Sequence, residues 1–396
     1  MVKNIDDFNF SGRRVFVRVD YNVPLDEEKN ITDEKRILES LKTVNKIIKD
    51  GGIPILASHL GRPKGKRNLE FSLQPIAKFM REKLNYDVIM TEDCIGELAE
   101  KAVENAKVGQ IVLLENLRFY AEEEENEQGF AKNLSKLADC YVNDAFGSAH
   151  RAHASVDALA KMYSERFPGY LMQKELKYLG DALENPAKPL TAVIGGAKIS
   201  GKIDVIYSLL SKCDNIIIGG GMTYTFFKAL GYNIGKSLLE EDKIQLAGEL
   251  IAKAKEMKVN LILPLDTKLA DKFDNDANIS EAIAGEIPDE LIGMDIGSKT
   301  VVLFKSVIEN SNTVVWNGPM GVFEMSNFET GTLEVAKSLA VMTENGGISI
   351  IGGGDSAAAI KKFGFEDKVS HVSTGGGASL EFLEGKILPG VEALRV

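Results

Sequence analysis

The chain has 396 residues, 44% hydrophobic and 27% charged, with 47 Lys plus Arg against 58 Asp plus Glu. That balance excludes a disordered chain and a collagen, and it supplies apolar material for two cores. Three cysteines, Cys94, Cys140 and Cys213, lie too far apart for a small disulfide scaffold and read as reduced, mostly buried thiols.

The first half alternates short β-rich runs with segments of helical period. Strands are expected over 14–19, 53–58, 86–91, 111–114 and 139–143, and helices over 34–49, 73–84 and 97–107. Ser72 ahead of Pro75 marks one helix entry. The acidic run 122–125 reads as a solvated helix start. A helical pattern over 173–184 is followed by the Asn-Pro-Ala-Lys-Pro junction 185–189, where the prolines stop it. The second half repeats the style. Strands are expected over 190–194, 215–218, 260–263, 300–304, 313–316, 347–351 and 369–373. Helices are expected over 200–210, 223–230, 242–257, 331–342 and 356–363. Segment 266–299 reads as a loop or a short β excursion. The alternation implies an α/β chain of two doubly wound, Rossmann-like lobes with parallel sheets, joined by an interdomain helix and hinge. The expected boundaries are 1–172, 173–189 and 190–384, with a tail over 385–396 packing back on the first lobe.

Arginine and glycine divide between the halves. Ten of the eleven Arg precede residue 186 and the other is Arg395, whereas 26 of the 37 Gly follow it. In open α/β sheets ligands bind beyond the C-terminal strand ends. In the first half those ends carry Asp20 and Asn22, then His59 and Arg62, then Glu115 and Arg118, then Asp144, His150, Arg151 and His153, while Arg36 starts the first helix. Converging cations in an acidic chain imply a multiply charged anionic ligand. In the second half the ends carry Gly195-Gly196-Ala197-Lys198, Gly219–Gly221, Asn317–Gly321, Gly352–Ser356 and Gly375–Gly377. Backbone N–H groups at such turns, with Lys198 and Lys202 nearby, suit a polyphosphate nucleotide.

Other motifs are weaker. The segment 231–237 is one residue short of a P-loop and follows a helix. Gly352–Ala357 fits a dinucleotide turn, but the acidic residue about 20 positions on is missing, so a NAD-dependent dehydrogenase is the second reading. There is no G-x-S-x-G elbow, and His150 with His153 is too little for a zinc site. The net charge of −11 argues against nucleic-acid binding, and the absence of a long apolar run argues against a membrane span. The first ten residues show no leader pattern, so a cytoplasmic location is expected.

Seven motifs together resemble the phosphoglycerate kinase family. They are D-x-N-V-P at 20–24, H-L-G-R-P at 59–63, E-N-L-R-F at 115–119, N-D-A-F-G-S-A-H-R at 143–151, G-G-A-K at 195–198, W-N-G-P-M-G at 316–321 and G-G-G-D-S at 352–356. The closing S-T-G-G-G-A-S-L-E-F-L-E-G-K-I-L-P-G extends the resemblance over essentially the whole chain. It implies reversible phosphoryl transfer from 1,3-bisphosphoglycerate to ADP, giving 3-phosphoglycerate and ATP; a monomer without nucleic-acid or membrane partner is expected. It further implies that Asp20, Asn22, Arg36, His59, Arg62, Arg118 and Arg151 bind the glycerate. Lys202, Gly293, Asn317, Pro319, Glu324, Gly353, Gly354, Asp355 and Ser356 face the nucleotide, with Asp355 the partner of Mg²⁺. Arg36, Lys198 and Lys202 act on the transferring group, and closure about the hinge brings the substrates in line. Gly201 departs from the family's usual Asp, and Ser356 replaces a commoner Thr.

Overall fold

A computed structural model describes residues 2–395. The chain divides into two compact units. One comprises the residues up to Leu176 together with those from Ile387 onward, and the other spans Lys177–Lys386. The division falls inside the helix Tyr170–Glu184.

The first unit holds β1 (Arg14–Arg18), β2 (Ile53–Ala57), β3 (Asp87–Met90), β4 (Gln110–Leu113), β5 (Cys140–Asn143) and β6 (Arg166–Pro168). They form one parallel sheet in the order β3-β4-β2-β1-β5-β6. Chain order reverses between β1 and β5, which opens a crevice at their C-terminal ends. The central strands are apolar because both faces are covered, and Val15, Phe16 and Val17 are fully buried. Helix Lys35–Lys49 covers one face with Ile37, Val44 and Ile47. Sequence periodicity does not reveal β6, a three-residue edge strand ending in Pro168, where proline is tolerated. The helix Tyr170–Glu184 starts where it does because Asp144 satisfies its first turn. Its Oδ1 accepts from the N–H groups of Leu171 at 2.9 Å and Met172 at 3.2 Å. The C-terminal segment joins this unit through Gly390, whose N–H donates to the Ala149 carbonyl at 2.8 Å, and through buried Leu388 and Leu394.

The second unit holds β7 (Leu190–Ile194), β8 (Asn215–Ile218), β9 (Asn233–Ile234), β10 (Asn260–Ile262), β11 (Asp266–Ala270), β12 (Ile279–Ile283), β13 (Glu286–Ile287), β14 (Ile292–Ile296), β15 (Thr313–Asn317), β16 (Ile348–Gly352) and β17 (His371–Val372). Six of them form a parallel sheet in the order β10-β8-β7-β15-β16-β17, with its reversal between β7 and β15. The core between this sheet and its helices centres on fully buried Trp316, with Phe304, Val335 and Leu339.

Two expectations are corrected, and one left open is decided for the β excursion. The run 300–304 is helical, inside Ser298–Glu309. Its buried residues are Thr300, Phe304 and Ile308, spaced by four, while Val302 is 69% exposed; the period is that of a helix despite the β-branched composition. Segment 266–299 is built around an antiparallel sheet of β12, β11 and β14. The acidic run is not all solvated: Ala121–Glu124 is a short helix in which Glu123 is fully buried. The three cysteines are free and buried, as their spacing implies.

Candidate functional site

In the first unit, three strand-end loops are tied together by hydrogen bonds. Arg36 lies 3.2 Å from the Asp20 carboxylate and donates to the Asn22 carbonyl at 3.0 Å. The Asn22 side-chain oxygen accepts from Gly61 N–H at 2.9 Å, joining the loop after β1 to the loop after β2. The Gly61 carbonyl in turn accepts from Arg118 at 3.1 Å. Glu115 supports this arrangement from below, accepting from Ser72 Oγ at 2.7 Å and Leu73 N–H at 2.9 Å. Arg62 and Arg151 are exposed at the rim, and Arg151 Nε donates to His150 at 3.1 Å.

The electrostatics show how closely these cations converge. Burial, followed by the fields of Arg18, Arg118, His153 and Arg36, pushes His59 well below the ordinary histidine range. Burial, with Arg118, Arg18 and Arg151, pushes His153 down to about 3. Both imidazoles are therefore neutral at pH 7, and the positive charge is carried by arginine. Arg18, Arg36, Arg118 and Arg151 act on this pair of histidines, a concentration of guanidinium charge suited to a multiply charged anion, whereas Arg62 stands exposed on the loop after β2. Sequence reading missed Arg18, which is fully buried at the end of β1. The available signal was an arginine closing the apolar run 15–17, two residues before Asp20.

In the second unit, a cleft of about 530 Å³ lies at the C-terminal strand ends. Gly293, Pro319, Glu324 and Asp355 line it. Gly293 has no room for a side chain, since a Cβ there would come within 1.8 Å of the Tyr224 hydroxyl. Beside the cleft, Lys202 donates to Asn317 Oδ1, and Gly318 N–H donates to Ser356 Oγ at 2.6 Å. Gly353 adopts φ +86° and abuts the Asn317 amide, so the chain turns sharply there into the helix Gly354–Lys362, whose second residue is Asp355. Asn317 Nδ2, although buried, has no hydrogen-bond partner among the described residues. Burial brings Lys202 down to about 8 against the opposing fields of Asp355 and Glu384. Thus Lys202, Asn317, Gly353, Asp355 and Ser356 are brought together. Lys198 is exposed on the loop after β7.

Other lining residues went unread: Tyr224, Lys236, Phe273 and Asp295. Lys236 belongs to the segment set aside as a failed P-loop. Phe273 and Asp295 belong to the excursion 266–299, which carries no recognisable motif. Asp295 is pushed up to about 7 by burial, despite accepting from Gly331 N–H at 2.7 Å.

The phosphoglycerate kinase family model matches residues 5–386. The chain belongs to the phosphoglycerate kinase family. It is 54% identical over 392 residues to the phosphoglycerate kinase of Chloroherpeton thalassium, covering 99% of this chain and 98% of that one. It is 53% identical over 392 residues to that of Chlorobium chlorochromatii, covering 99% of each. Among solved structures, phosphoglycerate kinase from Coxiella burnetii superposes with a TM-score of 0.90 at 40% identity, covering 100% of this chain and 98% of that one. The enzyme from Pyrococcus horikoshii superposes with a TM-score of 0.80 at 31% identity, covering 99% and 98%. Membership over this length removes the dehydrogenase reading, which rested on Gly352–Ala357 alone. Gly201, the departure from the family pattern, sits just ahead of the helix Ile203–Leu210, and a Cβ there would meet open space.

Proposed function

We propose that this protein catalyses reversible phosphoryl transfer between 1,3-bisphosphoglycerate and ADP, and that its two units divide the substrates. The family match over nearly the whole chain carries the reading. The cationic strand ends of one unit and the glycine-lined cleft of the other support the division.

On this reading Asp20, Asn22, Arg36, His59, Arg62, Arg118 and Arg151 hold the glycerate and its phosphate. Lys202, Gly293, Asn317, Pro319, Glu324, Gly353, Gly354, Asp355 and Ser356 hold the nucleotide. An ADP oxygen attacks the acyl phosphorus and the glycerate carboxylate leaves; in reverse the carboxylate attacks ATP. Neither direction requires a base, because both nucleophiles are already ionised. The protein's contribution is positioning and neutralisation of the charge that spreads over the transferring group. Arg36, Lys198 and Lys202 serve that group. The two ligands must meet during turnover, so motion at 173–189 is part of the reading.

Asp355 fits a role toward Mg²⁺. It is an exposed carboxylate on the cleft wall, and magnesium is ordinarily held by one or two carboxylates plus substrate phosphates. The ion would offset nucleotide phosphate charge. We read the protein as a cytoplasmic monomer; among the described residues no helix is long and apolar enough to cross a membrane. A coupled assay with 3-phosphoglycerate, ATP and Mg²⁺ tests the proposal. Turnover is expected, and folded protein without turnover refutes it.

A further inference from the structure

Beneath the cationic surface of the first unit lies a chain of hydrogen bonds whose donors run in one direction. Glu123 is fully buried, in the short helix Ala121–Glu124 that follows the Leu117–Phe119 turn of Arg118. Its Oε2 accepts from Ser155 N–H at 2.8 Å and its Oε1 from Ser155 Oγ at 2.5 Å. That hydroxyl has a single proton and gives it to Glu123, so toward Arg18 it acts as acceptor, receiving Nε–H at 2.8 Å. Arg18, itself without exposed surface, donates through Nη1 to the Val19 carbonyl. Its Nη2 donates to Ser148 Oγ at 3.4 Å and lies 3.3 Å from His59 Nδ1.

A guanidinium offers donors only. His59 Nδ1 must therefore be the bare, accepting nitrogen, and the ring proton sits on Nε2. Glu123 thus joins three cation-bearing segments: its own turn beside Arg118, β1 through Arg18, and the segment of Arg151 and His153 through Ser155.

We propose that Glu123 is a positioning residue which, through Ser155 and Arg18, holds His59 as the neutral Nε2–H tautomer, a hydrogen-bond donor to an oxygen of the anionic substrate. Burying two opposite charges linked through a hydroxyl is costly. What this arrangement yields is orientation: a fixed guanidinium, and an imidazole that donates without carrying charge. The inference rests on the proposed function only for the identity of the substrate.

Two variants test it. Ser155→Ala removes the connecting hydroxyl and leaves every charge in place; Glu123→Gln keeps the shape and removes the carboxylate charge. In ligand-free protein, ring ¹⁵N and ¹³C shifts of His59, assigned with His59→Gln, read the tautomer directly. Wild type is expected to show Nε2–H alone, and both variants a mixture. In Ser155→Ala the KM for 3-phosphoglycerate is expected to rise roughly ten-fold, as for one lost hydrogen bond to a charged group, with KM for ATP unchanged. An Nδ1–H wild type overturns the proposal. So does an unaltered His59 in Ser155→Ala, or equal rises in both KM values, which would mark general loosening. Should Glu123→Gln fail to fold, Ser155→Ala still decides. Absence of turnover in wild type would sink the proposed function, while the tautomer measurement would still judge the relay.

Discussion

Replacing Lys202 by Met separates what the second unit gives up in stability from what it would gain in nucleotide binding. Burial brings this amine from 10.5 to about 8. That displacement corresponds to about 3 kcal/mol of destabilisation while the amine is charged. The hydrogen bond to Asn317 offsets about 1 kcal/mol of it. Lys202→Met should therefore stabilise the ligand-free protein by about 2 kcal/mol near pH 7. Between the folded pKa of about 8 and the unfolded value of 10.5, the unfolded chain binds more protons than the folded one. Wild-type stability therefore climbs through that window, and the advantage of the variant shrinks. Urea unfolding near pH 7 and about pH 9.5 reads both values. Nucleotide affinity runs the opposite way. Near pH 9 about one tenth of the free protein carries a charged Lys202, and bound phosphates must draw the proton back. Affinity for ADP should then fall roughly ten-fold from about pH 7 to about pH 9, with uptake of about one proton. Titration calorimetry in buffers of different ionisation enthalpy measures both quantities. A variant no more stable than wild type near pH 7, or a gain that persists undiminished at high pH, refutes the reasoning. So does an ADP affinity that is flat with pH and involves no proton uptake.

The other predictions are narrower. Gly293→Ala drives a Cβ to within 1.8 Å of the Tyr224 hydroxyl and 2.2 Å of its Cζ. ADP affinity should drop more than about ten-fold, with a stability loss of roughly 1–3 kcal/mol from overpacking; calorimetry and thermal melting check this, and unchanged ADP binding contradicts it. Gly201→Asp points into open space beside a helix N-terminus, so stability should stay level or rise by about 0.5 kcal/mol, and melting curves decide. Arg118→Ala removes a buried guanidinium anchored on the Gly61 carbonyl at 3.1 Å. KM for 3-phosphoglycerate should rise roughly ten- to a hundred-fold, and an unchanged KM would exclude Arg118 from the anion site.

The parallel sheets were legible because strands buried on both faces leave long apolar runs, and glycine or arginine marks where each run ends. The excursion 266–299 was not, since β12 is exposed at most positions and so has no apolar signature. Helix Ser298–Glu309 misled through composition, its Thr-Val-Val run being β-rich while its burial follows every fourth residue. The site divides along the same line. Residues in named motifs, such as Asn22, His59 and Asp355, could be placed from the sequence. Tyr224 and Phe273 could not, because they reach the cleft from elements whose packing is decided by distant residues.

The uneven distribution of arginine has a structural explanation. Residues from Ile387 onward belong to the first unit, so all eleven arginines, Arg395 included, lie in that unit. The second unit lines its cleft with glycine backbone and lysine. On the proposed division of substrates, this difference fits what each surface would do. A small, multiply charged acid would offer paired carboxylate and phosphate oxygens that guanidinium forks can match, and Arg118 is held in place for that by the Gly61 carbonyl. A polyphosphate chain passes closer to the backbone, where a Cβ would intrude, and asks of its cations only a point charge. The acidic total of −11 does not oppose anion binding on this view. The attraction is local, set within the few ångströms where burial excludes screening water, and the wider surface is screened by salt.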